Sequence, residues 1–428
     1  NLDSTYMIYK KTTLKNGLRI ITVPMKEAEA VTVMVLVSAG SDYETKEING
    51  LSHFLEHMCF QGTTKRPNTG DISRELDSLG AQSNAFTGEE YTGYYAKAHK
   101  KHISKLVDLV SDIYLNPILD EKAMEREKGV VIEEMKMYED MPHVKSGEVF
   151  EELLYGDQPA GWSIIGKENV VRSLTSKQIR DYQSKHYVAS GTIVVVSGAI
   201  DEKKVVKEVS ERFNGISKSK KHKKIQTTES QSFPSIKIFK KNTDQAHVAL
   251  GFRTFPIKHK DNVKIKVLEA VLGHGMSSRL FKRLRDEMGI CYYVRSGNSP
   301  YLDRGYFAVT SGLSKDRVEE GIKAILEEVN RLKKELVSKE ELEKAKEVLV
   351  GNMYLSLETS DSYADFYAFQ DLMGQKIKTP KEKEASIRKV TSKDVQKIAN
   401  QIFKNETLNL AVVGPFEDSK TFKKILSL

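Results

Sequence analysis

Cysteine is scarce: the 428-residue chain has two, Cys59 and Cys291. Both sit inside apolar runs and read as reduced, buried thiols, so no disulfide framework is indicated. No apolar run approaches the roughly 18 residues that a membrane-spanning helix needs, which excludes such a span. Charge of one sign is also in short supply. The 67 Lys and Arg against 59 Asp and Glu leave +8, with lysines scattered rather than interleaved with aromatics. That balance argues for solubility with some nonspecific affinity for polyanions, and against a nucleic-acid site. The first residue is Asn1 rather than Met, so a leader could have been removed; a cytoplasmic location is expected, with the periplasm or another exported site left open.

What the chain does have is length and a normal core composition. With 39% hydrophobic and 29% charged residues it can build two or more domains, each with its own core. Histidine is rare, ten in all, yet two fall together in Gly50-Leu51-Ser52-His53-Phe54-Leu55-Glu56-His57-Met58-Cys59-Phe60. Leu51, Phe54, Leu55 and Met58 carry a core-facing helical spacing after the turn-like Asn49-Gly50. On that helix His53 and His57 stand at i and i+4, so both imidazoles leave one face and can grip one ion. Glu56 lies near that face, short of room to be a ligand but placed to hold a water that the ion acidifies. The order is the reverse of the H-E-x-x-H zinc-protease motif. An accidental pair on an amphipathic helix is the bland alternative.

Zinc catalysis needs a third protein ligand and an open position. The spacing predicts a long helix from Asp120 to Met141 with Met124, Val130, Val131 and Met135 as its apolar side. Glu127 and Glu134 are seven apart on it, two turns along one face. A carboxylate on an apolar stripe is costly to bury unless paired or metal-bound, which marks Glu134 as a ligand and Glu127 as a second carboxylate nearby. Glu133 points about 100° away and should be solvated. A plain charged surface helix is the commoner fate of such a segment.

His53-Phe54-Leu55-Glu56-His57, followed by Glu127 and Glu134, resembles the pitrilysin family of zinc peptidases, which includes insulin-degrading enzyme and the mitochondrial processing peptidase. The resemblance implies one zinc per chain held by His53, His57 and Glu134, with Glu56 as general base and Glu127 assisting. Ser83-Asn84-Ala85-Phe86-Thr87, with Tyr94-Tyr95 beyond, resembles the family's edge strand, whose Asn84-Ala85 backbone would pair with the substrate beside Phe86. Ser278-Arg279-Leu280, then Arg285 with Tyr292 seven residues on, resembles the distal pair that closes over the substrate. Without the family, Arg285 and Tyr292 read better as an ordinary ion pair and a core-edge tyrosine.

Along the chain, Lys11 to Pro24 reads as a hairpin around Asn16-Gly17, and Val31 to Val37 as a strand. Thr69 to Leu79 is helical, Ala81 to Ala98 paired strands, His102 to Leu115 a helix, and Val144 to Tyr155 helical again. Ser176 to His186 precedes a buried-type strand Thr192 to Ser197, and Val205 to Phe213 closes the half. From Ile216 to Ser232 the apolar period is lost in a Lys, Ser, Thr and Gln run, which reads as a solvated linker.

Beyond it the first half recurs. Leu174-Thr175-Ser176-Lys177 and Gly198 are echoed by Val390-Thr391-Ser392-Lys393 and Gly414, both at an offset of 216. This predicts an α+β protein of two tandem homologous sandwich domains, each a mixed sheet flanked by helices. The boundaries are a catalytic zinc-binding domain 1–215, a linker 216–232, and a second domain 233–428 that contributes substrate contacts. At that offset His53 falls on Glu269, His57 on Gly273 and Glu134 on Val350, so the second domain has no metal triad; His274 reads as a loop histidine. The resemblance implies a clam-shell of the two halves and, at this length, a homodimer of the small processing-peptidase-like branch. Gly273 to Ser278 lacks the extended glycine-rich loop of the non-catalytic processing-peptidase subunit.

The expected function is a zinc metalloendopeptidase acting on unfolded peptides or presequence-like segments. A non-catalytic structural or partner subunit of the same fold is the alternative, and a basic nucleic-acid binder the third reading. No nucleic acid and no membrane are expected as partners.

Overall fold

The computed structural model describes residues 9–428, so the start at Asn1 lies outside the described residues. In the first half the elements are β1 (Lys10–Thr13), β2 (Arg19–Pro24), β3 (Ala30–Val37), α1 (Leu51–Met58), α2 (Asp71–Ser78), β4 (Gln82–Thr87), β5 (Thr92–His99), α3 (Ile103–Leu115), α4 (Glu121–Glu139), α5 (Pro142–Tyr155), α6 (Glu168–Ser173), α7 (Ser176–His186), β6 (Thr192–Gly198) and α8 (Glu202–Arg212). The second half holds β7 (Ser235–Lys240), β8 (Gln245–Arg253), α9 (Asn262–Gly273), β9 (Cys291–Pro300), β10 (Gly305–Ser314), α10 (Val318–Lys334), α11 (Lys339–Ser356), α12 (Ser360–Leu372), α13 (Pro380–Arg388), α14 (Ser392–Ile402), β11 (Leu408–Gly414) and α15 (Lys420–Ile425). The hairpin, the strands and the helices expected in the first half all form. No helix among the described residues is long and apolar enough to cross a membrane.

Of the described residues, the first unit comprises 9–135, Ser163–Ile225 and Ser356–Thr379. Its sheet runs β1-β2-β6-β3-β5-β4, antiparallel except for the β2/β6 pair. β3 and β6 are nearly unbroken runs of buried Val, Ile, Leu and Met, as strands covered on both faces must be. One cover is α3, packed on β3 and β5. The other is α12, whose Ala364, Tyr367, Ala368 and Leu372 lie on Ile21, Val23, Met34, Leu36, Ile193 and Val195. Asp371 pins that helix, accepting from Lys11 Nζ at 2.5 Å and Arg19 Nη1 at 3.0 Å.

The second unit comprises Lys136–Trp162, Gln226–Leu355 and Pro380–Leu428. Its sheet, β7-β11-β8-β10-β9, repeats the first unit's order strand for strand without a counterpart of β1, again with one parallel pair, β7/β11. Helices α9, α10 and α14 cover one face. Against the other lies α5, its Val149, Phe150, Leu154 and Tyr155 set on Ala249, Ala308, Ala411 and Val413. Small residues there let the helix approach closely.

The contiguous division 1–215, 216–232 and 233–428 therefore describes the sequence repeat but not the packing. α5, from the first half, covers the second sheet, and α12, from the second half, covers the first. Periodicity shows that a helix has an apolar face; it carries no information on which sheet receives it.

The repeat itself is visible in chemistry. Thr175 with Gln178 and Thr391 with Asp394 form equivalent capping boxes at the starts of α7 and α14. In the long helices the shift becomes 218. Lys128 binds Glu125 and the Arg172 carbonyl at 2.7 and 3.0 Å, and Lys346 binds Glu343 and the Arg388 carbonyl at 2.9 and 3.1 Å. Glu134 thus aligns with Asn352, correcting the Val350 that a constant offset gave.

Candidate metal centre

Helix α1 buries Leu51, Phe54, Leu55 and Met58 completely, which leaves His53, Glu56 and His57 half-buried along its other side. Gly50 precedes it at φ +99°, in a backbone conformation that suits glycine, and lends no side chain to the free N–H groups of the first turn. Glu44 supplies the missing acceptor. Fully buried, it takes hydrogen bonds from Gly50 N at 2.8 Å, Ser52 N at 2.6 Å and Asn49 Nδ2 at 3.1 Å. Burial pushes its carboxyl up to about 7, against the opposing pull of those donors.

Helix α4 brings the third candidate ligand. His53 Nε2 lies 3.6 Å and His57 Nε2 3.3 Å from Glu134 Oε2, with the imidazole centroids 4.7 Å apart. The three donor atoms all fall within 4.8 Å of one another. Ligands about 2.0–2.1 Å from a tetrahedral zinc stand roughly 3.3–3.5 Å apart, so the spacings to Glu134 suit that ion, as does a set of two imidazoles and one carboxylate. His57 Nδ1 meets Glu127 Oε1 at 2.8 Å, the outer contact that fixes which imidazole nitrogen faces the ligand cluster. Burial lowers both imidazoles, but the hydrogen bonds that the protonated His57 ring donates to Glu127 and Glu134 outweigh it there, raising that ring to about 9. For His53, burial and the neighbouring His57 prevail, and it falls to about 4. A cation bound between the rings would take the place of the His57 proton.

The expected apolar side of α4 needs one correction. Ala123, Met124, Val131 and Ile132 are buried, whereas Val130 is 51% exposed. At 100° per residue the buried stripe centres near Val131, which places Glu134 about 60° to one side and Val130 about 100°. Glu134 therefore sits at the stripe's border, where a carboxylate can reach the histidines. Glu133 is exposed, as expected.

Glu56 does not join the ligands. Its Oε2 accepts from Thr87 Oγ1 at 2.7 Å, and burial raises its carboxyl above the usual range. Thr87 ends β4, which closes its sheet on one side and so leaves the outer backbone groups of Asn84 and Ala85 without a strand partner among the described residues. Asn84 is exposed opposite Tyr95, and Ala85 faces Tyr94 across the ladder. Phe86 folds back over Gly93 toward Phe369, with ring centroids 6.0 Å apart.

In the second unit Arg285 and Tyr292 do come together. The guanidinium carbon lies 5.3 Å from the Tyr292 ring centroid, and Nη1 donates to the Tyr292 carbonyl at 3.1 Å. Among the described residues neither the ion pair nor the core-edge tyrosine of the plain reading is found, since Tyr292 is 73% exposed and Arg285 stacks on aromatics. Arg279 instead forks onto Glu341 at 2.7 and 2.8 Å. The counterparts of the metal ligands are Glu269, Gly273 and Asn352, and the only cluster of three possible ligands among the described residues is His53, His57 and Glu134. His274, read as a loop histidine, follows α9 in a bend, with Nε2 3.1 Å from Asn352 Nδ2. Cys291, read as buried, is half-buried, while Cys59 is fully buried; both are free thiols.

Sequence reasoning missed Glu44, which no periodicity links to α1, and the hydroxyl of Thr87, which only the fold carries to Glu56.

Residues 19–167 match the family model described as insulinase (peptidase family M16), and residues 173–349 the model described as peptidase M16 inactive domain. The chain is 34% identical over 407 residues to the uncharacterized zinc protease YmxG of Bacillus subtilis, covering 95% of this chain and 98% of that one. An uncharacterized zinc protease of Rickettsia felis is 32% identical, covering 94% and 96%. A solved protease from Helicobacter pylori superposes with a TM-score of 0.89 at 26% identity, over 96% of this chain and all of the other. A peptidase M16 inactive domain from Pseudomonas fluorescens reaches the same TM-score at 16% identity, a likeness of fold alone.

Proposed function

The chain belongs to the M16, or pitrilysin, family of peptidases, and from that premise we propose that it is a zinc-dependent endopeptidase acting on extended, unfolded peptides such as presequence-like segments. The observation that carries the reading is the convergence of His53, His57 and Glu134 donor atoms within 4.8 Å, with the Glu56 carboxylate free of the ligand set and held by Thr87.

When bound, a zinc ion supplies Lewis acidity to a water and to the substrate carbonyl. Glu56 takes the proton of the attacking water and returns it to the leaving amine, a task suited to a carboxylate whose affinity for protons burial has raised. Glu127 keeps His57 Nδ1 engaged and thereby its Nε2 aimed at the ligand cluster. The edge of β4 at Asn84 and Ala85 binds substrate by adding it as a further strand, which reads backbone more than side chains. Phe86 forms part of that strand's surface, and Arg285 with Tyr292 anchors the carbonyl side of the peptide.

One zinc per chain and a second copy of the chain as partner complete the proposal. A non-catalytic partner of the same fold is the alternative, and the intact ligands and general base weigh against it. Zinc analysis paired with chelator-sensitive digestion of a peptide library tests the reading; a metal-loaded protein that cleaves nothing would end it.

A further inference from the structure

We propose that Lys224, in the lysine-rich linker, is a positioning residue for the catalytic site, a claim that rests on the peptidase reading above. The linker was expected to be solvated throughout, and 217–223 is indeed exposed, but the Lys224 side chain is only 8% exposed. Its ammonium lies 2.7 Å from Asp42 Oδ2 and 2.9 Å from Glu90 Oε1, both side chains 1% exposed.

Those two carboxylates belong to the segments on which the site depends. Asp42 stands two residues before Glu44, the residue that caps α1. Glu90 stands three residues after Thr87, which holds Glu56. The segments are pressed together: Ser41 N donates to the Gly88 carbonyl at 3.3 Å and Asp42 N to the Glu89 carbonyl at 2.8 Å. A Cβ on Gly40 would collide with the Gly88 oxygen, so nothing larger than glycine fits there. Two buried carboxylates on closely packed segments repel strongly in a low dielectric, and the Lys224 ammonium bridges them. Removing its charge strengthens that repulsion and favours separation of the pair or uptake of a proton, and the β4–β5 turn carries Thr87 with it. Glu56 then loses its partner while the metal ligands, on α1 and α4, stay.

The test compares wild type, Lys224→Met and the double variant Lys224→Met/Glu90→Gln. Each is measured for zinc content, for kcat and KM on a chelator-sensitive peptide, and for amide exchange at Asp42 and Gly88. We expect K224M to keep zinc and to lose on the order of tenfold to a hundredfold in kcat, with KM little changed and faster exchange at both amides. Adding E90Q removes the repulsion and restores kcat and protection. Wild-type kcat in K224M overturns the proposal, as does a double variant that regains thermal stability without turnover. If K224M does not fold, the double variant decides: near-wild-type kcat supports the proposal, low kcat with full zinc overturns it. If wild type holds zinc yet hydrolyses nothing, the peptidase reading fails, and amide exchange still decides whether Lys224 joins the two segments.

Discussion

The Glu44 carboxylate stands 2.6 Å from the backbone nitrogen of Ser52, so the helix bearing both histidines is capped by a side chain from the preceding turns of chain. Replacing Glu44 by Ala strands buried N–H groups and should cost about 1–3 kcal/mol, with weaker zinc retention; thermal unfolding and metal competition measure both. A pH dependence follows as well. The Glu44 carboxyl is raised from 4.5 to about 7 in the folded chain, so its contribution to stability is fully present below about pH 4.5 and lost as pH rises through about 7. The stability difference between wild type and E44Q should therefore shrink over that window. A difference flat across it counts against the assignment.

Glu56 and His57 are adjacent in sequence but separate in role. Glu56→Gln should keep stoichiometric zinc and lose about two to four orders of magnitude in turnover, the range associated with a positioned general base. His57→Ala should lose the metal. Zinc-free H57A that remains fully active would end the assignment.

Glu127 touches only the outer nitrogen of His57. Glu127→Gln should weaken zinc binding about tenfold to a hundredfold without abolishing it, since outer partners orient a ligand rather than replace one. Chelator titration reads this directly; an unchanged affinity would leave Glu127 a packing residue.

Arg285→Ala and Tyr292→Phe should lower kcat/KM by about tenfold or more and leave zinc content untouched. Unchanged kinetics in both would remove the second unit from the reaction.

The exchanged helices make a stability prediction. Phe150, 1% exposed, packs edge-on to Tyr306 with ring centroids 5.4 Å apart, so Phe150→Ala should cost about 3–5 kcal/mol and loosen the second unit's sheet. Residues 1–232 expressed alone lack α12, leaving Ile21, Met34 and Ile193 uncovered, and should aggregate. Amide exchange on F150A and solubility of the fragment check the two halves of the argument.

Much of the site was legible because its signals are local. His53 and His57 share a helical turn, and Glu127 and Glu134 share two, so spacing alone put each pair on one face. Val130 was misjudged since the periodicity of a charged helix leaves the centre of its buried stripe uncertain by tens of degrees. The counterpart of Glu134 falls on Val350 by the constant offset and on Asn352 in the structure, because a repeat offset read at one point does not register the two-residue change between 216 and 218. Lys224 was read with its neighbours as solvated, for nothing in a lysine-rich run marks the one member that meets buried carboxylates.

The sequence by itself determined the helices and strands, the repeat of the two sheets, and which residue types could hold a metal, because those depend on periodicity and side-chain chemistry over a few turns of chain. Only the tertiary structure decided that α5 and α12 cover each other's sheets, that Glu44 caps α1, that Thr87 holds Glu56, and that Lys224 joins Asp42 to Glu90. Those pairings lie between residues far apart in sequence, 182 positions for Lys224 and Asp42 and 360 for Asp371 of α12 and Lys11, where burial and charge compensation, not local propensity, select the partner.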